Sequence, residues 1–103
     1  MLSSPKPEFS ALPLHDAVLE DLCVDWVSRT CTAEVSAFVD GLTHPIQTRK
    51  IIWTKIQEVL IPLRAPWGHS NQINFAREEG GVYLIEMQSG DVIRIVAESV
   101  EFT

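Results

Sequence analysis

The stretch from Pro66 to Ala97 constrains the fold of this chain more than any other. Ile73, Phe75 and Arg77 alternate with Asn74, Ala76 and Glu78. Tyr83, Ile85 and Met87 alternate with Leu84, Glu86 and Gln88, and Ile93, Ile95 and Ala97 alternate with Val92, Arg94 and Val96. A side-chain period of two is the signature of a strand. Glu79-Gly80-Gly81 and Gln88-Ser89-Gly90 each read as a three-residue hairpin loop, whose third residue is left-handed, a conformation glycine takes without steric cost. The first turn predicts Phe75 opposite Ile85 and Ile73 opposite Met87. The second predicts Ile85 opposite Ile93 and Tyr83 opposite Ile95. Both place the odd-numbered apolar residues on one face, which predicts a three-stranded antiparallel meander. The even face carries Leu84, Val92 and Val96, so closure, the Trp67 loop or another subunit is expected to cover part of it.

Upstream, Leu22, Val24 and Trp26 alternate with Asp21, Cys23 and Asp25, and Ala33, Val35, Ala37 and Val39 with Thr32, Glu34 and Ser36. With Ser28 to Cys31 as the turn, Trp26 faces Ala33, Val24 faces Val35 and Leu22 faces Ala37. That register joins the two apolar faces, but it sets Asp25 opposite Glu34, an unfavourable like-charge pair. Asp40-Gly41 and Thr43-His44-Pro45 read as turn and loop. Residues 48–61 are ambiguous. Ile52, Ile56, Val59 and Leu60 would share a helix face with Thr48 as its cap, yet the many β-branched residues favour two short strands or one bent strand. Pro62 and Pro66 end the segment. About six short strands predict an all-β fold, a small antiparallel barrel or sandwich. Residues 1–14 read as a flexible N-terminal arm and 15–103 as a single β domain.

The length of 103 residues suits one domain, and 46% hydrophobic content suits a globular one. No apolar run approaches the roughly 18–20 residues of a membrane span. Met1 to Pro7 holds one lysine and two prolines and no apolar run, so a cytoplasmic location without membrane association is expected. The net charge of −6 lacks the basic footprint of a nucleic-acid binder. It suits solubility, or an acidic face for a basic partner protein. Cys23 and Cys31 match no zinc pattern and read as reduced, buried small hydrophobes. A homodimer is the alternative to a foreign partner.

Candidate binding residues fall in two groups. Asn74, Glu86 and Arg94 share the even face of the meander, where they make either a cross-strand ion pair with an amide neighbour or a polar cluster for a charged group. Trp67 and His69 stand in a loop that is either a lid over the sheet or a recognition surface. His15-Asp16 occurs in metal phosphohydrolases, but here it lacks the further helical ligands those enzymes use. His15, His44 and His69 are too widely spaced to read as a zinc set. Ser70 beside His69 does not make a nucleophile–base pair, and no cofactor motif is present. These residues assign no catalytic group.

Leu14-His15-Asp16-Ala17, Pro66-Trp67-Gly68-His69-Ser70 with Ile73-Asn74 and Arg77, and Ile85-Glu86-Met87-Gln88-Ser89-Gly90-Asp91 with Ile93 resemble a family of small bacterial proteins of unknown function. The resemblance covers most of residues 14–102, and its most specific part is the Glu-Met-Gln-Ser-Gly-Asp run. It implies no activity, cofactor or catalytic residue. His69 departs from the family pattern, which has proline there. The reading that follows is a protein-interaction domain, with a bacterial immunity-type inhibitor as one role in that class. The alternative is a small-molecule binder or enzyme with a pocket under Trp67, in which Glu86 serves as acid or base and Arg94 as anion clamp.

Overall fold

A computed structural model describes Phe9 and residues 14–38 and 46–103. Six strands follow one another: β1 (Val18–Asp25), β2 (Thr30–Phe38), β3 (Ile46–Leu60), β4 (Ile73–Glu79), β5 (Val82–Met87) and β6 (Val92–Phe102). They form one antiparallel sheet in the order β1-β2-β3-β6-β5-β4, as expected of a small all-β fold. The sheet curls until its two edge strands meet at one corner. There Asp16 N–H donates to Ile73 O (2.7 Å), Ile73 N–H to Ala17 O (2.8 Å) and Leu19 N–H to Asn71 O (2.8 Å). Past this corner β1 and β4 have no strand beyond them among the described residues.

The concave face holds the core. Cys31, Ala33 and Val35 of β2, Ile51 and Trp53 of β3, Tyr83, Ile85 and Met87 of β5, and Ile93, Ile95 and Ala97 of β6 are buried. Each fully buried isoleucine in this set contributes about 1.5–3 kcal/mol through apolar burial. Phe9 packs edge-on to Tyr83 at 5.2 Å and tilted to Trp53 at 6.0 Å. The N-terminal arm expected over 1–14 lies largely outside the described residues, but Phe9 and Leu14 are both in the core. His44, Val39 and the Asp40-Gly41 turn also lie outside them.

The β5–β6 register is as expected, with Ile85 opposite Ile93 and Tyr83 opposite Ile95. Gly90, at φ +93°, closes the three-residue loop. The β4–β5 turn differs. Glu79 pairs with Val82, so Gly80-Gly81 is a two-residue turn with φ of +57° and +85°. Such a turn needs positive φ at both positions and matches the twist of the flanking strands, and paired glycines permit it. The register therefore moves by one. Ala76 rather than Phe75 lies opposite Ile85, Phe75 turns outward at 44% exposure, and an irregularity between Ile73 and Phe75 restores Ile73 to Met87.

The first hairpin also corrects the expected pairing. Its turn is Trp26–Arg29, so Leu22 faces Ala33 and Val24 faces Cys31. Trp26 leaves the sheet at 76% exposure, with the Arg29 guanidinium 5.5 Å from its ring centroid. The like-charge pair is Asp21 with Glu34 rather than Asp25 with Glu34. Asp25 instead caps the turn, its Oδ1 accepting the Val27 and Ser28 amides. Cys23 lies on the outer face and is exposed, so only Cys31 is buried; both thiols are free.

Residues 46–60 form one bent strand, with no helix. Lys55 adopts φ +51°, and pairing with β6 shifts between Ile56 and Glu58. Each irregularity reverses which parity faces the core. Trp53, Ile56 and Val59 therefore point inward at intervals of three, a spacing that resembles a helix.

Candidate functional site

The loop from β3 to β4 is held by one carboxylate. Asp91 Oδ1 accepts the Arg64 amide (3.0 Å), and Oδ2 accepts the Ala65 amide (2.9 Å) and the Ser89 hydroxyl (2.9 Å). Burial pushes the Asp91 carboxyl up. The Ala65 amide, the Ser89 hydroxyl, the Arg64 amide and the Arg64 charge outweigh that and hold it below its ordinary value. Two further bonds close the loop: Trp67 N–H donates to Ser89 O (2.9 Å) and Gly68 N–H to Ala65 O (3.0 Å). The Pro66-Trp67 pair lies against Gly90. The two most distinctive runs of the sequence are thus one structural unit.

The third run joins them. Gln88 N–H donates to Gln72 O (2.8 Å), and its side-chain amide donates to Asp16 Oδ1. His15 Nδ1–H donates to Asn74 O (2.6 Å), and its Nε2 lies 3.4 Å from Asp16 Oδ2. This exposed dyad ties the entry turn, where Asp16 has φ +65°, to the start of β4. It is a fastening between segments.

Between β1 and this loop lies a cleft of about 540 Å³. Leu19 and Leu22 form one wall, Ile61 and Leu63 the other, and Met87 and Ile93 the floor. Its polar lining residues are Glu20, Asp21, His69, Ser70, Asn71, Ser89 and Asp91. Leu63 is 86% exposed and Trp67, two residues beyond Ala65, 71% exposed. Ser70 Oγ accepts the Gln72 amide, and Ser89 Oγ donates to Asp91, so both serines have structural partners.

The sequence candidates are distributed unevenly over these features. His69 lines the cleft, while Trp67 stands beside it over Gly90. Asn74 and Glu86 meet as expected, Asn74 Nδ2 donating to Glu86 Oε1 at 3.0 Å. Arg94 shares their outer face, but its Nε bonds Glu58 Oε1 at 2.9 Å. Glu86, Asn74 and Arg94 do not line the cleft. Among the described residues no group of three or more His, Cys, Asp or Glu side chains is arranged to hold a metal ion. Sequence reasoning missed Leu19, Leu22, Ile61, Leu63 and Asp91. The signal was available in Ile61-Pro62-Leu63, an apolar run around a proline where a connecting loop is ordinarily polar. No known protein family matches the chain, and no curated protein and no solved structure matches it either.

Proposed function

We propose that this chain is a protein-interaction domain that docks its partner at the cleft between β1 and the Ile61–Asn71 loop. The observation that carries the reading is an apolar concavity whose rim residues, Ile61 and Leu63, are exposed on a backbone pinned by Asp91. Large apolar side chains on fixed supports, grouped around a concave surface, are typical of interface anchors. Trp67 extends the same surface, and aromatic residues are frequent anchors there. An inhibitor of the immunity type is one role consistent with this size and acidity.

Affinity purification from a native cell extract at low salt tests the reading. Wild type is expected to retain a specific protein that the Leu63→Asp and Trp67→Ala variants lose. A partner set identical for wild type and both variants would overturn it. A second reading rests on the cleft volume, which falls in the range of small-molecule sites. It predicts a rise in melting temperature with a small apolar ligand that Leu22→Trp, which fills the cleft, abolishes.

A further inference from the structure

We infer that the cleft receives an extended segment of alternating basic and apolar residues from a partner protein, added as a strand along the outer edge of β1. This rests on the docking reading above and names the partner's chemistry.

Three observations combine. First, β1 is a sheet edge that borders the cleft. Its neighbour on one side is β2, and on the other, among the described residues, only the corner residues Asn71 and Gln72 meet Val18 and Leu19. Beyond Leu19 the outer backbone groups of β1 have no strand to pair with among the described residues, and such an edge can template an added strand.

Second, the side chains of β1 divide as an added strand would need. Leu19 and Leu22 enter the cleft over Met87 and Ile93, where the inward side chains of a new strand would be buried. The irregularity between Leu19 and Asp21 places Glu20 and Asp21 together at the mouth. Glu20 accepts the Ser36 hydroxyl, and among the described residues no Lys or Arg forms an ion pair with Glu20 or Asp21. Opposite charges on neighbouring strands attract and like charges repel, so these carboxylates select Lys or Arg on the outward positions of the added strand.

Third, the same charges disfavour a second copy. A β1-to-β1 pairing would bring Glu20 and Asp21 of one chain against acidic residues of the other in a molecule of net charge −6. Carboxylates and a bulge on an edge are a known defence against self-pairing. The partner that satisfies both the apolar cleft and the acidic mouth is therefore basic and foreign.

The test uses the full chain, 15N-labelled, with the capped peptide Lys-Val-Lys-Val-Lys-Val-Lys as probe at low salt. Shift changes and slowed amide exchange are expected over Leu22–Asp25 and at Leu63. Asp21→Lys should weaken binding at least tenfold, and Asp21→Asn, a milder change that preserves shape, several-fold. A Glu-Val peptide of the same pattern, a Lys-Ser peptide of the same charge, and the Lys-Val peptide N-methylated at alternate positions should each bind at least tenfold more weakly. Absence of binding at millimolar peptide, or shifts confined to other strands, would overturn the inference. So would binding that Leu63→Asp abolishes while Asp21→Lys, Asp21→Asn and N-methylation leave it unchanged. That last pattern leaves the cleft as a docking site and removes only the basic-strand occupant.

Discussion

Gly90 lies directly beneath Trp67: a Cβ at position 90 would stand 2.8 Å from Trp67 Cδ2 and 2.8 Å from Pro66 Cγ. The backbone that carries both rings is held in place, because Trp67 N–H is bonded to Ser89 O and the Arg64 and Ala65 amides to Asp91. The glycine also adopts φ +93°, which costs any other residue conformational energy. Gly90→Ala is expected to destabilise the fold by about 1–3 kcal/mol in urea unfolding. Adding Trp67→Ala should recover part of that loss by removing the contact with the indole, while the Pro66 contact and the backbone strain remain, so the two effects are non-additive.

Asp91 predicts a feature of acid unfolding. Its native carboxyl is held below the ordinary value while the unfolded chain keeps that value near 4. The stabilisation is therefore complete above about pH 4 and is lost as pH falls through the native value. Asp25 titrates in the same direction, held low chiefly by the Ser28 amide and hydroxyl. Melting temperature against pH should fall more steeply below pH 4 in wild type than in Asp91→Asn. The variant should melt lower at neutral pH, because the Arg64 and Ala65 amides lose an ionic acceptor.

The two cysteines should react differently. Burial, with a smaller effect of the neighbouring Cys23, pushes the Cys31 thiol up to about 11, whereas Cys23 is exposed. Thiolate is the reactive form. Mass spectrometry after iodoacetamide at pH 8 should show one adduct on the native protein, at Cys23, and two in denaturant.

The tryptophans offer an optical check on the core. Trp53 is fully buried against Phe9 and Tyr83, while Trp26 and Trp67 are exposed. The Trp26→Phe, Trp67→Phe double variant should emit at shorter wavelength than wild type and resist acrylamide quenching.

Arg94 is expected to matter little. Its ion pair with Glu58 is solvent-exposed on both sides, and such pairs contribute about 0–1 kcal/mol. Arg94→Ala should shift the urea midpoint only slightly and leave binding at the cleft unchanged.

The parity of β5 and β6 was legible in the sequence. Tyr83, Ile85, Met87, Ile93 and Ile95 alternate without interruption, and the Gly90 loop keeps them in phase. The chain's other strands were legible as strands but not in register. Phe75 alternates with its neighbours as if buried, yet the two-residue Gly80-Gly81 turn moves it outward. Ile52, Ile56, Val59 and Leu60 suggested a helix face, but of these Ile56 and Val59 pack against the core and Leu60 is exposed, because two interruptions of the strand bring Trp53, Ile56 and Val59 inward at every third position.

By itself, then, the sequence determined strand content, the core-facing residues of β2, β5 and β6, and the closeness of Asn74 to Glu86. Tertiary structure decided the bulges in β1, β3 and β4, the Asp91 clamp and the cleft. The reason is physical. Alternation is a local property of one extended segment, whereas a bulge forms only where a curled sheet must fit its neighbour. Likewise, Asp91 acquires its role from amides more than twenty positions away, which only closure of the sheet brings within hydrogen-bonding distance.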